Sequence, residues 1–278
     1  MFMEQIVKII ADYQSFNLRD VIDHDRFNQY AIVHHSSSIE GSTLTENETR
    51  LLLEEDVTPK GKPLQHSLMV KDHYDALLLV LDAANKQVTP DVKFIQAINA
   101  KVMRNTGSIY QTVFGELDAT KGVFRKGNVS AGGSYFVNFD KVENYTTKLG
   151  QELNTNLKKI KTVEEKLQLS FAAHFDLVSI HPFYDGNGRT SRLLMNFIQA
   201  YFQLPLAFVY KEDKADYFNA LQIARKEENT EVFIEFMTKQ YEKFLLQDLH
   251  QFKKDMKVTL LPKNRLGRGK GRGFSLFY

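Results

Sequence analysis

VEEKLQLSFAAHFDLVSIHPFYDGNGRTSRLLMNFIQAYF, residues 163–202, carries the decisive pattern of this chain. Leu167, Phe171, Phe175 and Val178 recur at helical spacing, with His174 on the same stripe, and so mark one amphipathic helix. Leu193, Leu194, Phe197, Ile198 and Tyr201 mark a second. Between them lies HPFYDGNGRTSR, residues 181–192, so the polar chemistry falls in a helix–loop–helix turn. Gly186 and Gly188 let the backbone approach a ligand, and the first-turn N–H groups of the second helix point outward unpaired. Such a turn is a ready anion site.

Outside this stretch the same 3–4 spacing recurs, as in Ile6, Ile9, Ile10 and Tyr13 or in Leu77, Leu78, Leu81 and Ala84. A mostly α-helical protein of eight to ten helices is therefore predicted. The expected helices are roughly 3–14, 19–39, 46–55, 64–86, 90–105, 140–157, 163–180, 188–202, 214–227 and 230–253. Thr-x-x-Glu pairs at Thr45/Glu48 and Thr162/Glu165 read as capping boxes. Thr89-Pro90-Asp91 reads as a helix start with proline in the first position. The exception is 120–136, TKGVFRKGNVSAGGSYF, where glycines and an asparagine interrupt β-prone pieces. It reads as a short β-hairpin or flap built on Val123–Arg125 and Tyr135–Val137, or as a surface loop.

Composition limits the function classes. With 278 residues, 43% hydrophobic and 25% charged, the chain can bury a substantial core. No stretch approaches the ~20 apolar residues of a membrane span. The first twenty residues carry acids and no small-residue cleavage site, so a cytoplasmic protein is expected. Zero cysteines exclude disulfide scaffolds, cysteine nucleophiles and thiolate metal sites. Net charge is +2, yet Lys263, Arg265, Arg268, Lys270 and Arg272 lie in the last sixteen residues, which leaves 1–262 at −3. A mildly acidic body argues against a nucleic-acid partner. Residues 263–278 read as a basic glycine-rich tail beyond one helical unit, 1–262, whose first 55 residues pack on the rest.

The side chains around the turn are those of phosphate chemistry: Asp185, Asn187, Arg189, Arg192 and His181. Arginines three apart on a helix start face one side and can fork onto a polyphosphate. Asp185 suits Mg²⁺, which takes one or two carboxylates with phosphate and water. His181 suits a general base. Taken singly, each letter also has a plain structural reading: a helix-end histidine before proline, a tight turn, a solvated arginine face.

The combination resembles the Fic family signature, His-x-Phe-x-(Asp/Glu)-Gly-Asn-(Gly/Lys)-Arg-x-x-Arg. His181, Phe183, Asp185, Gly186, Asn187, Gly188, Arg189 and Arg192 fill every fixed position. The resemblance covers roughly 90–250, the catalytic core, and implies an all-α Fic fold and an enzyme moving AMP from ATP onto a Ser, Thr or Tyr hydroxyl of a target protein. It implies His181 as the base, Asp185 as the Mg²⁺ ligand, and Asn187 with Gly186 and Gly188 as the cradle of the α- and β-phosphates. Arg189 then meets the β-phosphate, Arg192 the γ-phosphate, and Phe183 anchors the loop. Gly122 and Arg125 resemble the start of the family's target-aligning flap. Tyr217, Phe218 and Leu221 resemble its adenine wall, and Arg225 stands where many relatives have asparagine near the ribose.

Ser36-Ser37-Ser38-Ile39-Glu40-Gly41 resembles the family's inhibitory motif, (Ser/Thr)-x-x-x-Glu-(Gly/Asn). Ser36, Glu40 and Gly41 then belong to a helix end from which Glu40 reaches Arg192; the plain reading makes Gly41 a C-cap with Glu40 in water. A de-AMPylase, a transferase with another nucleotide or phosphodiester donor, and a non-catalytic ATP-sensing regulator are the rival functions. A metallohydrolase has too few ligands. Relatives often pair, so a homodimer is an open expectation; the target, the modified residue and the signal relieving inhibition are not legible.

Overall fold

Helix α7 (Val163–Ile180) and helix α8 (Asn187–Tyr201) are the centre of the architecture, and α8 is enclosed on all sides. Every residue from Arg189 through Gln199 is buried. A helix so enclosed must satisfy its polar side chains internally. Asn196 donates to the Ala207 carbonyl at 2.8 Å, and Gln199 accepts from Ala207 N at 2.8 Å while donating to Ser170 Oγ at 3.2 Å. These bonds fix the extended segment that follows the helix. Helix α7 starts at the predicted capping box: Thr162 Oγ1 accepts from Glu165 N at 3.2 Å, and Glu165 Oε2 accepts from Thr162 N at 3.0 Å.

The computed structural model describes residues 2–15, 24–131 and 133–260. Helices α4 (Leu64–Asn85) and α5 (Val92–Val102) pack on α8; α6 (Val142–Lys159) and α10 (Glu231–Leu260) pack on α7. Helix α1 (Phe2–Ser15) lies on α10, α2 (His24–Ile39) on α4 and α8, α3 (Glu46–Glu55) on α2 and α4, and α9 (Lys214–Lys226) on α10. One continuous apolar core runs through these layers, from Ile6 and Ile10 through Leu77, Ile98, Phe171 and Phe197 to Phe233 and Tyr241. Burying a leucine- or phenylalanine-sized side chain contributes about 1.5–3 kcal/mol, so this core is the main stabilising term. Among the described residues no helix is long and apolar enough to cross a membrane.

The mostly helical expectation holds, with ten α-helices among the described residues. Residues 19–23 of the predicted 19–39 helix, and the 263–278 tail, lie outside the described residues. Three details differ. Asp91, not Pro90, controls the start of α5: it is the N-cap, its side chain accepting from Phe94 N at 2.8 Å, and the proline precedes it. The Val123–Arg125 piece is not a strand, because Arg125 is drawn inward to bond carbonyls; the flap ladder is only β3 (Ser130–Ala131) against β4 (Ser134–Tyr135). A hairpin that the sequence reading missed, β1 (Ile109–Thr112) against β2 (Gly115–Asp118), precedes it.

Candidate active site

At the end of α7 the chain turns through His181, whose φ of 52° is left-handed. That conformation costs a non-glycine residue about 1 kcal/mol, and here it ends α7 as a left-handed cap whose N–H bonds the Leu177 carbonyl. His181 Nδ1 lies 3.4 Å from the Val178 carbonyl oxygen. A carbonyl only accepts, so this contact favours the tautomer protonated on Nδ1 and leaves Nε2 the lone pair a base needs. Burial, with Arg125 and Arg225 adding to it, lowers the imidazole to about 4 against the pull of the Val178 bond. It is therefore neutral, the proton-accepting form, at pH 7.

The loop is tied from inside. Asn187 accepts from Phe183 N and donates to the Phe183 carbonyl, both at 2.9 Å, so one amide closes the turn as a backbone pair would. Its side chain is thereby committed to loop structure. Phe183 is 1% exposed and packs on Phe124. Gly186 has φ 77°, and a Cβ there would meet Met103 Sδ at 2.7 Å. Asn99 of α5, unforeseen in the sequence, donates to the Asp185 carbonyl at 3.0 Å and to Thr190 Oγ1 at 3.1 Å. Its only sequence signal is one amide on the apolar stripe Ile95, Ile98, Val102.

Both arginines of the turn are buried. Arg189 donates to the Val102 carbonyl at 3.3 Å, and its Nε has no protein partner. Its nearest carboxylate is Asp185, 3.9 Å away. Arg192 donates to Ser36 Oγ at 2.8 Å, to the Ser36 carbonyl at 3.2 Å and to Tyr217 Oη at 3.4 Å. Its shortest bond, 2.5 Å, goes to Glu40 Oε1.

Glu40 reaches this place because α2 ends there. Gly41 N bonds the Ser38 carbonyl and Ser42 N the Ser37 carbonyl, a Schellman motif with Gly41 at φ 102°. The C-cap reading of Gly41 and the contact of Glu40 with Arg192 thus hold together. Burial opposes the charge of Glu40, yet Arg192 and then Arg189 outweigh it and keep the carboxyl below its usual range. A Cβ on Gly188 would lie 2.5 Å from Glu40 Oε1. The carboxylate therefore sits over the first turn of α8, on the positive end of that helix.

Asp185 is the exposed acid of the loop, with 54% of its side chain accessible. Among the described residues no cluster of three or more metal-ligating side chains exists. One accessible carboxylate beside an anion-binding turn fits a Mg²⁺ ion that completes its shell with phosphate oxygens and water.

Other predicted residues take different places. Tyr217 and Leu221 are 1% and 2% exposed, so they form the core beneath the site and not an open adenine wall. Tyr217 accepts from Arg192 and bonds His174 Nε2 at 2.9 Å, which holds the guanidinium from below. Phe218 is the exposed member of that stripe. Gly122 has φ 62° and abuts the Gln96 carbonyl of α5. Arg125 is 1% exposed and donates to the His181, Gly127 and Val137 carbonyls. Both are buttresses joining flap to loop, with no surface left to align a target strand. The contact no sequence pattern announced is Phe136, which stacks on His181 with centroids 3.9 Å apart.

The helical fold and this loop define a Fic/DOC domain, and residues 89–199 match the model of the Fic/DOC family. The chain carries a domain of that family. Its similar proteins include the protein adenylyltransferase Fic of Drosophila erecta, 30% identical over 214 residues, which is 77% of this chain and 40% of the relative. That of Aedes aegypti is 30% identical over 195 residues, 70% of this chain and 36% of the relative. The chain thus spans about 40% of the length of the curated relatives it matches. A Fic domain containing signaling protein from Bacteroides thetaiotaomicron shares the fold at TM-score 0.73 and 23% identity, over 88% of this chain and 94% of that one. Residues 134–508 of Fic-1 from C. elegans share it at TM-score 0.74 and 23% identity, over 91% and 72%. The family match ends at 199, so α9 with Tyr217 and Leu221 lies beyond it.

Proposed function

We propose that this chain is a self-inhibited protein adenylyltransferase that moves AMP from ATP to a hydroxyl side chain of a target protein. The observation carrying this reading is the Glu40 carboxylate, which lies 2.5 Å from Arg192 and against Gly188 at the start of α8. On this reading an anion from residue 40 fills the place that a terminal phosphate would take. Relatives named protein adenylyltransferase support the reaction class.

In the transfer the target oxygen attacks the α-phosphorus, and a new P–O ester bond forms. The bond to the bridging oxygen of the β-phosphate breaks, and pyrophosphate leaves with the electron pair. His181 Nε2 takes the hydroxyl proton. Arg189, the N–H groups at the start of α8, and Arg192 once Glu40 has left it, stabilise charge on the departing phosphates. Asp185 would hold Mg²⁺, which would supply further neutralisation of phosphate charge. With Glu40 in place, ATP binds without its γ-phosphate on Arg192 and the α-phosphorus is out of line.

The same glutamate, moved slightly, can orient a water for removal of AMP, so a de-AMPylase is the second reading. Pairing of two copies is part of the proposal and rests on resemblance. The test supplies Mg²⁺ and ATP labelled on either the α- or the γ-phosphate to Glu40→Gly and Glu40→Gly/His181→Ala. Protein-bound label from α-labelled ATP alone, and only with His181 present, is expected. Label from γ-labelled ATP would make the chain a kinase, and no label from either would end the transferase reading.

A further inference from the structure

Phe136, the residue after β4, lies face to face with the His181 imidazole, 3.9 Å between centroids and 16° from parallel. The Arg225 guanidinium of α9 lies over the same Phe136 ring, 5.3 Å from its centre. Arg225 is itself held by a 3.1 Å bond from its Nε to Ser179 Oγ, near the end of α7. Among the described residues no carboxylate lies within ion-pair distance of it. Beside Phe136, the Val137 carbonyl is fixed by Arg125, which also grips the His181 carbonyl. Flap, catalytic loop and α9 thus meet in one stack around a single imidazole.

We infer that Phe136 and Arg225 are positioning residues for His181, the flap ring fixing the plane of the imidazole and the guanidinium fixing the ring. This rests on the assignment of His181 as the base. The Val178 contact is long at 3.4 Å and cannot hold the ring plane alone. A face-to-face stack restrains tilt but leaves the edge carrying Nε2 open to a target hydroxyl. The stack also removes water from one face of the imidazole, which disfavours the charged form. The charged groups acting on His181 are Arg125 of the flap and Arg225 of α9, both lowering its affinity for protons, and Glu40 of α2, raising it. Removing the ring or the Arg225 charge therefore moves His181 toward its ordinary titration range.

The experiment places Phe136→Ala, Phe136→Tyr, Arg225→Gln and Arg225→Lys in the Glu40→Gly protein. It follows His181 by NMR of the histidine-labelled chain across pH and measures AMP transfer to N-acetyl-tyrosinamide and N-acetyl-threoninamide. Expected for Phe136→Ala and Arg225→Gln are a titration midpoint raised by at least one pH unit, a kcat about tenfold lower and an acid limb shifted with the midpoint, with the KM for ATP unchanged in Phe136→Ala. Phe136→Tyr and Arg225→Lys should restore most of both. A fall in kcat with the midpoint unmoved would mean a merely structural effect and overturn the inference, as would variants that change neither. If the Glu40→Gly parent transfers nothing, the adenylyltransferase reading fails, and the midpoint alone still decides whether the stack tunes His181.

Discussion

Asn187 holds the loop closed with two hydrogen bonds to one residue, Phe183, and is 3% exposed while doing so. Its truncation leaves a buried N–H and C=O without partners, each costing about 1–3 kcal/mol. Asn187→Ala should lower the unfolding free energy by about 2–4 kcal/mol in urea titration, and an unchanged midpoint would contradict this account of the turn. Gly186 makes a second demand at the same scale. With φ 77° and Met103 Sδ 2.7 Å from a would-be Cβ, Gly186→Ala meets both backbone strain and a clash. A loss of about 1–3 kcal/mol is expected by thermal melting. That 181–192 is a tight turn between two helices was legible, because its glycines and the flanking apolar stripes are local signals. Asn187 was not fully legible: spacing says an amide is present, and only the fold says it bonds the backbone. Tyr217 and Leu221 misled for the same reason, since an aromatic stripe has one sequence pattern whether it faces a ligand or the core.

At the scale of elements, starts marked by side-chain chemistry were read best. Both Thr-x-x-Glu boxes cap their helices, at α3 and α7, because the signal and the bond are local. Thr162→Ala should destabilise the protein by about 1 kcal/mol, seen as a drop of roughly 2–4 °C in melting temperature; no change would mean that α7 is held by packing alone. The hairpins were read poorly. Residues 109–118 form a hairpin whose Ile109, Val113 and Phe114 are exposed, so no burial pattern announces its register. It is held instead by ring contacts, Tyr110 on Tyr184 and Phe114 on Phe139, between residues far apart in sequence. The flap shrank to two-residue strands because Arg125 spends its donors on three carbonyls, a long-range decision that propensity does not see.

Across the whole molecule the buried histidines set the response to acid. Burial chiefly lowers His34 to about 3 and His35 and His181 to about 4, and drives His73 and His174 well below the ordinary 6.5. Below pH 6.5 the unfolded chain protonates these five while the native state does not, so the native state binds fewer protons and stability falls as pH falls. The window runs from about 6.5 down to 4, at about 1.4 kcal/mol per pH unit for each histidine as an upper bound. His24 has the opposite sign: against burial, Asp248 and Asp25 raise it to about 9, so its contribution is present below 6.5 and is lost as pH climbs through 9. Unfolding free energies measured at pH 7 and pH 5 should differ by several kcal/mol in favour of pH 7; equal values would refute this charge assignment.

The same enclosure brings residue 40 to residue 192, and the proposed self-inhibition, in which Glu40 occupies Arg192, depends on that meeting. The most direct measurement is the initial rate of AMP transfer by wild type and Glu40→Gly at saturating ATP and Mg²⁺, with ATP binding measured alongside. A rate at least tenfold higher in Glu40→Gly is expected, with ATP still bound by the wild type. Equal rates at equal ATP occupancy would contradict self-inhibition.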